Sequence, residues 1–362
     1  MNQTLYYSTN RRSPAVSLKD ALLRGQAPDK GLYLPQQVPQ MSLYEIEEWR
    51  REGFTDVREA AGGRAEVVLF DRGRSFAEQV AGARAVIDQG GSVGTREMID
   101  AAAAAGVELY QVHGTGLDHV DVAYMLSRGL RVAHCSGVHS APALAEHALC
   151  LLLAVSKRLP QSRTEVEAGV ICGLLNDELS GKVMLLVGFG ASARELAPRA
   201  RALGLRVFAI DRAEPETGVL ERLGVERFGD PGVLDEVLAE ADFVSLHLPL
   251  TEETRSLLDR RRLALMRETA ILINVARGGL VDEGALVEAL AAGRLAGAGL
   301  DVFSVEPLPA DHPLLRLPNV VLTPHLAGVT SGTSRRRGAA SAENLARLEA
   351  GTPLLDELFA AP

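Results

Sequence analysis

The chain has 362 residues, 47% of them hydrophobic and 23% charged, with a formal net charge of −9. That length accommodates two or three domains with ordinary cores. The negative balance disfavours nucleic acid or an anionic membrane as the main partner, but it leaves room for an anionic cofactor held by local backbone amides.

The opening stretch MNQTLYYSTNRRS is polar and does not read as a secretory signal. The longest apolar run, 148–155, is too short to span a bilayer. A cytoplasmic protein with no membrane partner is the expectation. Cys135, Cys150 and Cys172 are odd in number and form no CxxC pair, which predicts reduced thiols and no metal centre. Cys150 lies in AEHALCLLLAV and is expected in the core.

In chain order, residues 1–57 form a polar zone with Pro28, Pro35, Pro39 and the single Trp49. One short amphipathic helix is predicted near 43–51. From residue 65 the text alternates. AEVVLFD (65–71) reads as a buried strand, FAEQVAGA as a helix, RAVIDQ as a strand and TREMIDAAAAAG as a helix. VELYQVH and LRVAHCSG follow as strands around the helix DHVDVAYMLSRG. A long helix is predicted from Pro142 to Arg158. A second series then supplies strands VMLLVG, LRVFAI, FVSLHL, AILINVA, GAGLDVF and NVVLTP, with helices such as ARELAPRARALG and EGALVEALAAG between them. The last segment, TSRRRGAASAENLARLEAG, is a helix able to return to the first series.

Continuous apolar strands alternating with helices imply parallel sheets covered on both faces. The expected class is α/β, with two doubly wound parallel-sheet domains. A Rossmann cofactor domain spans 138–327, a flavodoxin-like substrate domain combines 65–137 with 328–362, and 1–57 is a short appendage.

The segment VMLLVGFGASARELAPRARALGLRVFAID places strand, glycine turn, helix, strand and acid in order. Gly188 permits a tight turn, and Gly190 lets backbone approach a pyrophosphate. The helix that starts at Ala191 and Ser192 offers free N–H groups and a positive dipole end. Asp211, 23 residues beyond Gly188, is placed to accept bonds from ribose hydroxyls and to repel a 2′-phosphate, which favours NAD over NADP. The neighbouring Arg212 works against that preference.

Three polar residues follow successive strands of the second series. They are Arg277 in NVARGGLVDE, Glu306 in DVFSVEPLP and His325 in TPHLAG. Ligands bind at the carboxyl ends of such strands, so the three can converge. An imidazole near neutral pH can move the proton that accompanies hydride transfer at C2 of a hydroxy or keto acid. A carboxylate can fix its tautomer, and a guanidinium can grip a substrate carboxylate in two places. Singly, each has a plainer role: a helix cap, a turn acid, a core histidine. Their joint order behind the dinucleotide motif is what points to catalysis.

HGTGLDHVDVA, ALAEHALCLLLA, VGFGASA, ADFVSLHLPLTEET, LINVARGGLVDEGAL, GLDVFSVEPLP and TPHLAG together resemble the D-isomer-specific 2-hydroxyacid dehydrogenase family over about 65–350. That family includes phosphoglycerate dehydrogenases and glyoxylate/hydroxypyruvate reductases. The resemblance implies an NAD-dependent dehydrogenase, favoured in the reductase direction, acting on a small 2-hydroxy or 2-keto acid. It implies that Arg277, Glu306 and His325 are catalytic and that backbone amides of Thr115, Gly116 and Leu117 help Arg277 hold the substrate carboxylate. It implies cofactor contacts from Asp211, Pro249, Ala276 and Asp301, and a homodimer formed through the cofactor domain. Which acid is used is not readable; His113, His139 and the 304–312 loop are the specificity candidates. A non-catalytic NAD-binding or corepressor-like protein, or an inactive fusion, is the alternative.

Two departures stand out. Ala193 fills the third glycine position. At the front, family members carry two strand–helix units before the strand matching RAVIDQ, and only AEVVLFD with FAEQVAGA is readable here. In their place, YYSTN and ALLRGQAPDKGLYLP resemble the N-terminus of threonine synthases over about 4–50. The lysine segment that binds pyridoxal phosphate in those enzymes has no counterpart, so threonine synthase activity is not expected. Either the segment covers an edge of the substrate domain, or it is a relic of fusion that leaves that domain one unit short.

Overall fold

The computed structural model describes residues 6–8, 33–35, 56–63, 65–71, 73–88 and 94–359. The chain divides into two compact units, 1–52 and 53–362. In the first, β1 (Tyr6–Ser8) and β2 (Tyr33–Pro35) pair antiparallel, with Tyr7 opposite Leu34. The helix predicted near 43–51 lies outside the described residues.

The second unit holds two sheets. β3 (Ala85–Asp88), β4 (Leu109–Val112) and β5 (Arg131–His134) are parallel neighbours. Their period-two alternation gives each face its own core. Tyr110, Val112 and Val132 pack with Ile99, Ala102 and Met125 from the helices Arg96–Ala104 and Val122–Ser127. Leu109 and Ala133 on the opposite face meet Leu348 of the long helix Ser331–Ala350. The predicted return of that helix to the first series is therefore observed. The helix Arg96–Ala104 starts where the Thr95 side chain accepts the Met98 N–H, a cap of the kind worth about 1 kcal/mol.

The cofactor sheet comprises β6 (Val183–Val187), β7 (Arg206–Ile210), β8 (Val225–Gly229), β9 (Phe243–Leu246), β10 (Ile271–Asn274), β11 (Gly297–Leu300) and β12 (Val320–Leu322). Its order is β12-β11-β10-β9-β6-β7-β8, with parallel pairing throughout. Every residue of β6 is buried. Leu185 and Val187 face one cluster, while Met184 and Leu186 face the other. Each such side chain contributes about 1.5–3 kcal/mol by leaving water. Strand order reverses between β6 and β9, which opens a crevice at their carboxyl ends.

A final short strand, β13 (Glu357–Leu358), pairs antiparallel with β5, so the substrate sheet runs β13-β5-β4-β3 and is mixed. The three strands read from the sequence are parallel, as expected, and β13 adds an antiparallel edge to them.

Two expectations are revised, and one strand of the cofactor sheet was not foreseen. AEVVLFD is not a strand. Residues 65–71 have no ladder partner among the described residues, Val68 and Phe70 are 73% and 47% exposed, and β3 forms the edge of the sheet. An alternating apolar pattern specifies a strand only where a neighbouring edge is available to pair with it. β8 was not legible, because VERFG lies at the sheet edge, where burial does not demand apolar residues. Cys150 is exposed, not core. The helix Ala141–Ser156 buries Ala145, Ala148, Leu151, Leu152 and Val155 against the cofactor sheet, and its turn carries Cys150 to the other side.

Candidate active site

The glycine turn after β6 sits in the crevice. Gly188 has φ +91°, and its N–H donates to the Ile210 carbonyl at 2.8 Å. A Cβ there would lie 2.7 Å from the His247 carbonyl oxygen beyond β9. Both the backbone conformation and the approach of the two strand ends require glycine. Gly188→Ala is expected to cost about 1–3 kcal/mol in a urea melt and to abolish the thermal shift given by NADH. An unchanged NADH shift would remove the turn from the cofactor site.

Gly190 caps the helix Ala191–Ala202, and a Cβ on it would meet nothing within 4 Å. The turn is therefore open where a phosphate must enter, with the helix amides behind it. Ser192 on the first helical turn shares a 2.9 Å hydrogen bond with His247 Nδ1, and Nε2 of that ring lies 2.9 Å from Ser245 Oγ. Burial pushes His247 down to about 4. It is neutral at pH 7 and fixes Ser192 relative to β9. Asp211, at the end of β7, accepts the Phe189 N–H at 2.6 Å and the Ala213 N–H at 3.0 Å. Arg212 beside it is engaged outward by Glu253 at 2.7 Å. Pro249 is exposed beyond His247, and Ala276 is buried beyond β10. These residues fit a dinucleotide: an open turn, a helix N-terminus and a carboxylate at the neighbouring strand end.

Arg277 reaches from β10 to the substrate sheet. Its Nε donates to both oxygens of Asp118, at 3.2 and 3.3 Å, and its Nη1 donates to the Ala276 carbonyl at 2.8 Å. A side chain on Gly116 would collide with the guanidinium. Arg277 thus lies directly against the Thr115-Gly116-Leu117 loop. Burial opposes ionisation of Asp118, yet the adjacent Arg277 charge holds its carboxyl below the usual range. Asn274 shapes the Arg277 turn: its Nδ2 donates to the Arg277 carbonyl at 2.9 Å, and its Oδ1 accepts the Ala276 N–H at 3.1 Å. Gly278 is pressed onto the Phe303 and Ser304 backbone so closely that any Cβ would overlap it.

That contact brings in the loop carrying Glu306. Glu306 Oε1 accepts the Phe303 N–H at 2.9 Å, and Oε2 lies 2.7 Å from His325 Nδ1. An ionised carboxylate only accepts, so Nδ1 carries the proton and Nε2 is left for exchange. His325 has φ +52°, in the left-handed region. Its N–H bonds to Asp301 O at 2.8 Å and Thr323 O at 3.1 Å hold it there. The Asp301 side chain turns inward, fully buried, and accepts Thr323 Oγ1 at 2.6 Å and the Leu326 and Ala327 N–H groups at 2.9 Å. Burial would raise its pKa, but bonds from His147, Thr323, Ala327 and Leu326 bring it below the ordinary value. Its side chain anchors the 325–327 turn rather than facing the crevice.

Sequence reasoning missed Asp118, Asn274, His147 and His247. Asp118, one residue past the 115–117 loop, carried a signal: a carboxylate beside a loop expected to bind an anion needs a cation of its own.

The fold and site define a nicotinamide-dependent oxidoreductase with a seven-stranded cofactor sheet and a separate substrate sheet. The model of the D-isomer specific 2-hydroxyacid dehydrogenase NAD binding domain matches residues 149–327, and the chain belongs to that family. The threonine synthase N terminus matches residues 5–60. A hydroxypyruvate reductase of Thermotoga maritima is 41% identical over 237 residues, 64% of this chain and 74% of that protein. A D-3-phosphoglycerate dehydrogenase of Mycobacterium leprae is 39% identical over 254 residues, 69% of this chain but 46% of that longer protein. A solved structure from Thermus thermophilus superposes with TM-score 0.73 at 38% identity, covering 85% of this chain and 96% of that one. The protein is an NAD-dependent oxidoreductase that transfers hydride between nicotinamide and C2 of a small 2-hydroxy or 2-keto acid. Nothing in these comparisons supports the non-catalytic alternative.

Proposed function

We propose that Arg277, Glu306 and His325 carry the reaction and that the enzyme works as a 2-keto acid reductase. The carrying observation is the 2.7 Å His325–Glu306 pair on a loop pressed against the Arg277 turn. The nicotinamide cofactor supplies the hydride when bound. Gly188, Gly190, Ala191 and Ser192 would hold its pyrophosphate, Asp211 its adenosine ribose, and Pro249 and Ala276 its further length, while Asp301 acts through the turn it anchors. Arg277 binds the substrate carboxylate against the amides of Thr115, Gly116 and Leu117 and polarises the C2 oxygen. His325 delivers a proton from Nε2 to that oxygen. Glu306 keeps the ring oriented and offsets the imidazolium charge. NADH oxidation with glyoxylate, hydroxypyruvate, pyruvate, 2-oxoglutarate and phosphohydroxypyruvate tests this reading; NADH binding with no turnover on any of them would overturn it.

Asp211 sets the preference for NAD. A 2′-phosphate beside its carboxylate would be repelled, and Arg212 is already turned toward Glu253. Asp211→Ala is expected to narrow the NADH-over-NADPH ratio of kcat/KM by about tenfold or more, since a like-charge contact of over about 1 kcal/mol is removed. A ratio unchanged within about twofold would assign the preference elsewhere.

The reading extends to a cytoplasmic homodimer formed through the cofactor domain. Leu159, Val166, Val170, Ile171 and Leu175 lie within 17 residues of chain and are all exposed, the last two at 87%. An apolar surface of this kind favours burial against a second copy. Among the described residues no helix is long and apolar enough to cross a membrane.

A further inference from the structure

The substrate loop is flanked by a second guanidinium that the catalytic scheme does not use. Arg337 projects from the helix Ser331–Ala350, and its Nη2 lies 3.4 Å from Thr115 Oγ1. Its Nε is buried with no hydrogen-bond partner among the described residues. A Cβ on Gly328, in the turn that follows His325, would come 3.9 Å from Nη2. The guanidinium therefore stands between the His325 turn and the residue next to Gly116, where Arg277 lies. Arg277 has Asp118 as its counter-charge. Among the described residues no carboxylate pairs with Arg337; the charged or polarisable groups acting on it are Cys135 and Arg336.

The other candidate cation of this corner is not one. His113 is buried, its Nδ1 lies 3.0 Å from Ser341 Oγ, and burial followed by the Arg337 charge pushes it down to about 4. Arg336 is directed away, onto the His139 carbonyl at 2.7 Å. A largely covered cation without a counter-ion is costly, and an apolar side chain would fill the same space without that cost. The cost is offset once an anion enters.

We infer that Arg337 recognises a second anionic group, a carboxylate or a phosphate, at the far end of the 2-keto acid whose C1 carboxylate Arg277 holds. This rests on the assignment of Arg277 and the Thr115–Leu117 loop to that C1 carboxylate. A monoanion such as glyoxylate fills only the Arg277 side, whereas a dianion engages both guanidinium groups.

The test compares kcat/KM for glyoxylate with those for 2-oxoglutarate and phosphohydroxypyruvate, in the full chain and in Arg337→Met and Arg337→Lys. The dianion-to-glyoxylate ratio is expected to fall about a hundredfold in Arg337→Met, as when one partner of a covered charge pair is removed, and to recover in part in Arg337→Lys. Whichever of the two dianions shows the larger fall identifies the distal group as carboxylate or phosphate. A ratio unchanged within about threefold would overturn the inference. So would a rise of about a hundredfold in the NADH Kd of Arg337→Met, which would assign the charge to the cofactor phosphates. Wild-type turnover of glyoxylate with neither dianion accepted overturns the inference alone, and no turnover on any acid overturns the catalytic reading with it.

Discussion

His325→Ala lowers kcat by about 10²–10⁴, the range for removing a positioned general acid, while NADH binding stays within a few-fold of normal. The expectation follows from the tautomer. Glu306 accepts the hydrogen bond from Nδ1–H at 2.7 Å, so Nε2 is the only ring atom left to exchange a proton with substrate. Because His325 sits at φ +52°, alanine there also carries backbone strain. His325→Asn separates the two effects, since asparagine tolerates that conformation but cannot act as an acid near neutral pH. Both variants should lose turnover alike, and only the alanine variant should lose stability. Near-normal turnover in either one removes the imidazole from the chemistry.

Arg277→Lys is expected to lower kcat/KM by about 10²–10³, or about 3–4 kcal/mol of transition-state stabilisation. An ammonium keeps the charge but cannot bond Asp118, the Ala276 carbonyl and a substrate carboxylate at once, as the planar fork does. Asp118 would be left partly covered with a weaker partner. The loss should appear in KM, through the carboxylate grip, and in kcat, through polarisation of the C2 oxygen. Steady-state kinetics at saturating NADH check this, and a lysine variant within about threefold of wild type would show that the guanidinium is not the substrate anchor.

Much of this site was legible in the sequence because its parts are punctuation marks of the fold. Gly188, Gly190, Arg277, Glu306 and His325 each follow a continuous apolar strand, and a parallel sheet gathers the ends of its strands on one side. The supporting residues were less visible. Asn274 and Asp301 lie within or just beyond apolar strands and reveal themselves only through the turns they bond, and His247 only through its two serine hydroxyls. Arg337 reads in sequence as the last of three consecutive arginines on a polar helix; only the lack of a paired carboxylate among the described residues distinguishes it.

Period and order along the polymer determined the alternating α/β class, the glycine turn and the places of Arg277, Glu306 and His325 at strand ends, since these depend on local backbone geometry and on strand ends. Pairing decided the rest. Whether AEVVLFD could join a sheet depended on an available edge, whether Cys150 was covered depended on which side of its helix met the cofactor sheet, and whether a guanidinium had a counter-charge depended on residues far away along the chain. Those are properties of what packs against what, and a linear pattern carries no record of them.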